Sequence, residues 1–168
     1  MNPQSAFNFQ WLSPLGVSVV LFLLYGAIYL LIGVLTPIMV DSSVSPGILI
    51  VSGRPDTAVL GDTPENLRQN NPALVKLRSI ILNMLAGMLV AAGVMIVALA
   101  WFGVRQGQAW ALGTLAVAGV AVLPFWYLVF RPYFAAGVSL TLGDLPPFMW
   151  VPAVLLLPAV ILGWFGLR

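Results

Sequence analysis

The sequence predicts an all-α fold: a polytopic membrane protein in which four transmembrane helices form a bundle, with one long polar loop between helices 1 and 2. Of its 168 residues, 61% are apolar and only 7% are charged. Soluble domains average about 45–50% apolar and about 25% charged residues, so this composition indicates a membrane protein. The apolar residues form four runs of about 20 residues or more, the length of helix that crosses a bilayer. We expect residues 1–168 to form a single transmembrane domain.

The first apolar run predicts a helix over about residues 14–40. No charged residue occurs between Pro14 and Val40. At about 1.5 Å per residue, this run is longer than the roughly 30 Å hydrocarbon core. We therefore expect the first helix to cross the membrane with tilt or with protruding ends.

The polar loop covers residues 41–78, and loops of this length usually carry function or local structure. Residues 47–51 are apolar between turn-forming residues, so they form either a short strand or a surface segment. Thr63, Pro64 and Glu65 are typical of a helix start, because the dipole at a helix N-terminus favours an acidic residue. We expect a short interfacial helix there.

The second span is predicted over about residues 79–103, in a helix that starts before the membrane. Asn71 is a favourable N-cap, and Pro72 fits the first helical position, where its missing N–H has no cost. Lys76 and Arg78 then lie on turns at the level of the lipid headgroups.

The third span is predicted over about residues 109–130 and the fourth over about residues 148–167. The connection 104–108 is short, so spans two and three should form an antiparallel hairpin. Pro146 and Pro147 indicate the end of a loop just before the fourth span.

Tryptophan prefers the two membrane interfaces, and the four predicted spans leave no tryptophan at the centre of the bilayer. One face should carry Trp11, Trp101, Trp110 and Trp164, and the other Trp126 and Trp150. We expect these residues to act as interface anchors together with Lys76, Arg78 and Arg105. The face that carries the termini has fewer Lys and Arg residues, and this count predicts that the termini lie outside.

Small residues recur on the spans, chiefly Gly87 with Ala91, and Gly113 near Gly119. Such residues let two helix backbones approach closely in a membrane. They indicate packing either inside this bundle or against a partner's helix. Asn83, in the second span, forms either an interhelical hydrogen bond or a ligand contact.

Tyr25 and Tyr29 lie four residues apart and share a face of the first helix. They are either core aromatics or, with Asn83, the lining of a pocket for a lipidic ligand. No Asp, Glu, Lys or Arg occurs in the middle of a predicted span, which argues against a pump or coupled transporter.

The sequence contains no Cys and no His, which excludes thiolate nucleophiles, cysteine or histidine metal ligands and the commonest general base. We therefore expect no metal, no cofactor and no catalytic residue, and the few scattered basic groups do not predict nucleic-acid binding. The loop residues Arg54, Asp56, Asp62 and Glu65 are the densest set of ionisable groups. They indicate a solvated loop with ion pairs, or else acid–base chemistry at the membrane surface.

Two stretches carry a resemblance: Gly53-Arg54-Pro55-Asp56 with Asn71-Pro72-Ala73-Leu74, and the segment 102–111, Phe-Gly-Val-Arg-Gln-Gly-Gln-Ala-Trp-Ala. Over about half of the chain, this layout resembles a family of bacterial four-helix integral membrane proteins whose activity is not established. The resemblance implies a bacterial cytoplasmic (inner) membrane, with the Arg105 hairpin and both termini inside. It therefore implies the opposite orientation to the Lys and Arg count.

Two functions fit these observations. The first is a non-catalytic subunit or accessory component of a larger membrane complex, with other membrane subunits and lipids as partners. The second is a stand-alone protein that binds or modifies a lipid, quinone or isoprenoid in a cavity between helices. A subunit should present small residues on faces that its own bundle leaves open, whereas a lipid-binding protein should have a cavity that the polar residues reach.

Overall fold

A computed structural model describes residues 9–41, 53–145 and 147–168 of the chain. It confirms the predicted all-α fold: the secondary structure within these ranges is helical, with no strand. Four helical segments are long and apolar enough to cross a membrane, namely Pro14–Val40, Pro72–Gln106, Ala109–Ala135 and Met149–Gly166. The protein is thus a helical membrane protein with four spans.

Seven α-helices occur in the described residues. They are α1 (Pro14–Asp41), α2 (Gly53–Leu60), α3 (Pro64–Asn70), α4 (Pro72–Ala98), α5 (Ala109–Ala121), α6 (Leu123–Ala135) and α7 (Pro147–Gly166). A π-helical turn, Leu99–Gly103, and a 3-10 turn, Val104–Gln106, continue α4 to the start of the hairpin. Gly107 follows with φ of 74°, a left-handed conformation that glycine adopts readily and that ends the helix.

The two helix starts predicted in and after the loop are confirmed. The Thr63 hydroxyl accepts a hydrogen bond from the Asn66 backbone N–H at 3.3 Å and caps α3. The Asn71 side chain accepts one from the Leu74 N–H at 3.1 Å and caps α4, which begins at Pro72. Both caps are local interactions, which explains why sequence spacing predicts them.

The loop also contains α2, a helix that the sequence does not predict, because Gly53-Arg54-Pro55-Asp56 is typical of a turn. Pro55 stands in the first turn of this helix, where a missing N–H breaks no intrahelical bond. The alternative strand or surface segment at residues 47–51 lies outside the described residues.

The third span is longer than the range of 109–130 expected from the sequence, and it is interrupted near Pro124, as this proline predicts. It consists of α5 and α6, which meet at Val122, and it continues beyond Arg131 to Ala135. Pro124 is the second residue of α6 and cannot donate a hydrogen bond to the preceding turn, which accounts for an interruption at this point. Arg131, the first residue after the expected range, has an exposed side chain, and the helix continues past it.

The chain forms two compact units, and we describe each by itself. The first, which we call the hairpin unit, comprises residues up to Leu30, Ala91–Ala121 and Val151–Arg168. The second, the loop unit, comprises Leu31–Val90 and Val122–Trp150.

The core of the hairpin unit lies where α1, α5 and α7 meet. Its buried side chains include Val19 and Phe22 of α1 and Leu112 of α5. The buried Ser18 hydroxyl donates a hydrogen bond to the Ala159 carbonyl of α7 at 2.6 Å. Such interhelical bonds supply specific attraction in a membrane, where burial of apolar surface between helices gives little.

Helices α1 and α4 approach closely at small residues. In the hairpin unit, a Cβ at Gly93 would lie 2.9 Å from the Gly26 carbonyl oxygen, so only glycine allows this contact. In the loop unit, a Cβ at Gly33 would lie 2.8 Å from the Ala86 carbonyl oxygen.

Candidate functional site

One exposed face of α4 combines small and flexible side chains in a regular order. We call the residues Met84, Met88, Ala91 and Met95 the outer seam. All four are exposed, and each methionine retains more than half of its accessible surface. Their spacing of four, three and four residues is that of a helix face that packs along a second helix.

On the opposite side of α4, four residues with the same spacing pack against α1. The inner seam consists of Ala86, Val90, Gly93 and Val97. Each of these residues comes two positions after the corresponding residue of the outer seam. Ala86 and Gly93 are buried, and all four residues lie at the contacts with α1 that small residues permit. Since two residues turn a helix by about 200°, the two seams lie on nearly opposite faces.

Gly87 and Asn83 flank the outer seam. A Cβ placed on Gly87 would meet no described atom within 4 Å, so the described helices of this chain do not use the close approach it allows. Asn83 is exposed, and its amide makes no hydrogen bond to a described residue. It lies five positions beyond Arg78 in the apolar part of the span, where an amide gains from a hydrogen-bond partner.

The other two glycines singled out from the sequence differ in their surroundings. Gly113 is exposed on α5, and a Cβ placed on it would meet no described atom within 4 Å. Gly119 is buried and packs against the Leu156 side chain of α7. Gly119 therefore packs inside this bundle. Gly113 has open space beside it, where a helix of a partner could pack.

Tyr25 and Tyr29 share a face, as their spacing predicts, and their rings meet edge to face with centroids 5.1 Å apart. Tyr25 is buried in the core of the hairpin unit, and Tyr29 packs against that core. Neither residue lines the cavity that Phe9, Trp101, Phe102, Arg105 and Gln106 form in this unit. Their surroundings are those of core aromatics.

A buried polar cluster holds the loop unit together. Asp56 of α2 is fully buried, and its Oδ1 accepts a hydrogen bond of 2.8 Å from the Tyr133 hydroxyl of α6. Arg78 of α4 is attracted electrostatically to Asp56, whereas the like charge of Arg68 of α3 repels it. The cluster thus joins a short loop helix to the spans beside it, and burying a carboxyl group requires such partners.

The other ionisable loop residues singled out from the sequence have different surroundings. Asp62 accepts hydrogen bonds from the Thr63 N–H and from the Asn66 side chain, so it supports the start of α3. Arg54 and Glu65 are exposed. Sequence reasoning missed Tyr133, which lies 77 residues from Asp56 and leaves no local signal.

The expected interface anchors occur in both units. The hairpin unit contains Trp11, Trp101, Trp110 and Trp164, and the loop unit contains Trp126 and Trp150 with Lys76 and Arg78. The Trp110 indole N–H donates to the Gln108 side chain at 2.7 Å, and Arg168 lies over the Trp164 ring at 5.1 Å from its centroid. Their role as membrane anchors stays a prediction.

Arg105 has an aromatic environment in the hairpin unit. Its guanidinium carbon lies 4.3 Å from the centroid of the Trp101 ring. It lies 5.5 Å from the Phe9 centroid and 5.7 Å from that of Trp11. Cation–π contacts at these distances stabilise a cation at the end of a span.

Within the described residues, no group of three or more His, Cys, Asp or Glu side chains could hold a metal ion. No protein-family model, no curated protein and no solved structure matches this chain.

Proposed function

We propose that this protein is a non-catalytic integral subunit of a larger membrane complex, and that the outer seam of α4 packs against a transmembrane helix of a partner polypeptide. The observation that carries the proposal is the pair of seams on α4. The helix packs against α1 through one of them, and an equally spaced seam on the opposite face is exposed. The resemblance carried by residues 53–56, 71–74 and 102–111 supports a bacterial cytoplasmic membrane as the location.

The composition of the outer seam suits contact with a helix. Methionine side chains are unbranched and polarizable, so they adapt to an irregular partner surface. Ala91 and the neighbouring Gly87 allow the two backbones to come close, as Gly93 does on the packed face. A helix face in contact only with lipid acyl chains does not need small residues, because no second helix backbone approaches it.

Asn83 adds a polar contact to this surface. An amide in the apolar part of a span gains about 0.6 to 2 kcal/mol from an interhelical hydrogen bond. Such a bond also fixes the register between two helices, which apolar packing alone specifies weakly. A partner helix with a Ser, Thr, Asn or Gln side chain opposite Asn83 would complete the interaction.

The proposal can be tested by cross-linking in the native membrane, because a chain without Cys gives one reactive thiol for each substitution. Met88→Cys, at the centre of the outer seam, would carry a photoreactive maleimide. We expect a cross-link to one polypeptide of constant mass. The yield should fall when Gly87→Leu is added, because a bulky side chain would hold the partner helix away.

Val154→Cys is the matched control, since this residue is exposed on α7 and belongs to neither seam. It should label lipid and give no cross-linked polypeptide. Equal cross-linking at positions 88 and 154 would contradict the proposal, as would a Met88→Cys product that contains only two copies of this chain.

A further inference from the structure

The end of the second span forms a pocket around a cation. A cavity of about 480 Å³ is lined by Phe9, Trp101, Phe102, Arg105 and Gln106, all within the hairpin unit. The π-helical turn Leu99–Gly103 and the 3-10 turn Val104–Gln106 supply four of these five residues. Irregular turns of this kind recur at functional sites, because they redirect side chains that a regular helix would space evenly around its axis.

Aromatic rings surround the guanidinium of Arg105. It lies over Trp101, Phe9 and Trp11, and the Trp11 and Trp101 rings are themselves 6.2 Å apart. A guanidinium held over ring faces keeps its N–H donors in its own plane, where they can bind an anion with two parallel hydrogen bonds. We therefore expect these rings to orient Arg105 for binding an anion.

No acidic side chain belongs to the hairpin unit. The five Asp and Glu residues of the chain are Asp41, Asp56, Asp62, Glu65 and Asp144, and all of them fall in the loop unit. The Asp or Glu partner that usually neutralises a half-buried arginine is thus missing from the unit that contains Arg105. The site favours an anion from outside the protein.

The position of the pocket restricts the source of this anion. Arg105 is the last residue but one of the candidate span Pro72–Gln106, and we expect a basic residue at the end of a span to lie at the level of the phospholipid headgroups. Phe102, which lines the cavity, is exposed and can contact an acyl chain, while Gln106 can donate to a phosphate oxygen. The hairpin unit contains no Asp or Glu side chain that could bind the ammonium group of a zwitterionic headgroup, so such a headgroup should gain less from this pocket than an anionic one.

We infer that this pocket binds the phosphodiester group of an anionic phospholipid, with Arg105 as its charged ligand. The inference is independent of the outer seam of α4, which lies elsewhere on the chain. It assigns the aromatic residues around Arg105 a role in orienting the guanidinium, in addition to anchoring the helix at the interface.

The test is native mass spectrometry of the purified full chain in a mild detergent, titrated with phosphatidylglycerol or with phosphatidylcholine. The wild-type chain should retain phosphatidylglycerol in preference to phosphatidylcholine. Arg105→Gln should bind phosphatidylglycerol about tenfold more weakly, since it loses charge-assisted hydrogen bonds. Arg131→Gln is the matched control, because it removes an exposed arginine of the loop unit and should leave the affinity unchanged.

A measurement on the wild-type chain alone avoids any effect of substitution on folding. Phosphatidylglycerol with a photoreactive headgroup should label residues 101–106 after illumination. Equal binding of the two lipids, equal affinity in Arg105→Gln, or labelling spread evenly over the spans would overturn the inference. Displacement of phosphatidylglycerol by millimolar inorganic phosphate would also overturn it, because the pocket would then bind free phosphate.

Discussion

Replacing Tyr133 by Phe removes one hydroxyl group from the buried cluster of the loop unit and leaves the ring in place. The lost interaction is the 2.8 Å hydrogen bond to Asp56, whose carboxyl group is fully buried. A hydrogen bond to a charged group contributes about 1.5–3 kcal/mol, and a buried acceptor left without this donor carries a desolvation cost. We expect the free energy that holds α2 in place to fall by this amount.

Each 1.4 kcal/mol corresponds to a factor of about ten in an equilibrium constant, so the open form of α2 should become about 10 to 100 times more populated. Hydrogen–deuterium exchange, read by mass spectrometry on peptides that cover residues 53–61, measures this population. The Gly61 N–H, which donates to the Thr57 carbonyl, reports the end of the helix. Exchange in α4 should change much less.

Tyr127→Phe is the matched control, because it removes a hydroxyl from an exposed tyrosine of the same helix α6. It should leave exchange in α2 unchanged. If Tyr133→Phe also leaves α2 unchanged, the hydrogen bond does not hold this helix, and the cluster has no structural role of the size argued here.

Three further changes test the packing and the caps. Gly93→Leu should lower the melting temperature, because its Cβ would lie 2.9 Å from the Leu30 backbone nitrogen and overpacking costs about 1–3 kcal/mol. Gly87→Leu is the control and should leave the melting temperature unchanged. Equal melting temperatures for the two variants would refute the assignment of the inner and outer seams. Ser18→Ala should lower the free energy of unfolding in detergent by about 0.6 to 1.7 kcal/mol, because the hydrogen bond to Ala159 is lost. An unchanged free energy of unfolding would show that this interhelical bond is dispensable. Thr63→Ala should lower the stability of α3 by about 1 kcal/mol and speed hydrogen–deuterium exchange in this helix only. Unchanged exchange in α3 would show that the cap is not needed.

The spans and helix caps could be predicted from the sequence because their signals are local. The length of an apolar run predicts a span, and Thr63 or Asn71 caps a helix within three residues of itself. The end of α6 could not be predicted in this way, because a charged residue such as Arg131 ends an apolar run without ending the helix. An exposed arginine can lie on a helix that continues into the interface.

The packing faces were harder to predict, since small residues lie on more than one side of α4. The four-residue spacing of Gly87 and Ala91 singled out an exposed face, whereas α1 packs on the face that carries Ala86 and Gly93. A seven-residue spacing that recurs on α1, at Gly26 and Gly33, was the signal that could have identified the packed face. A single helix cannot reveal which of its faces has a neighbour.

The candidate sites depend on contacts between distant segments. Asp56 meets Tyr133, and Arg105 meets Phe9, across separations that no periodicity encodes. The sequence indicates that ionisable groups concentrate in the loop and that Arg105 lies near the end of a span, three residues after Phe102. Which of these groups become buried or surrounded by rings follows only from the fold.

Native mass spectrometry of the protein, extracted from its own membrane in a mild detergent, tests the proposed subunit role most directly. We predict co-purification with at least one other polypeptide at fixed stoichiometry, and loss of that partner in the Gly87→Leu variant. A chain that is extracted alone, or only as copies of itself, would contradict the proposal.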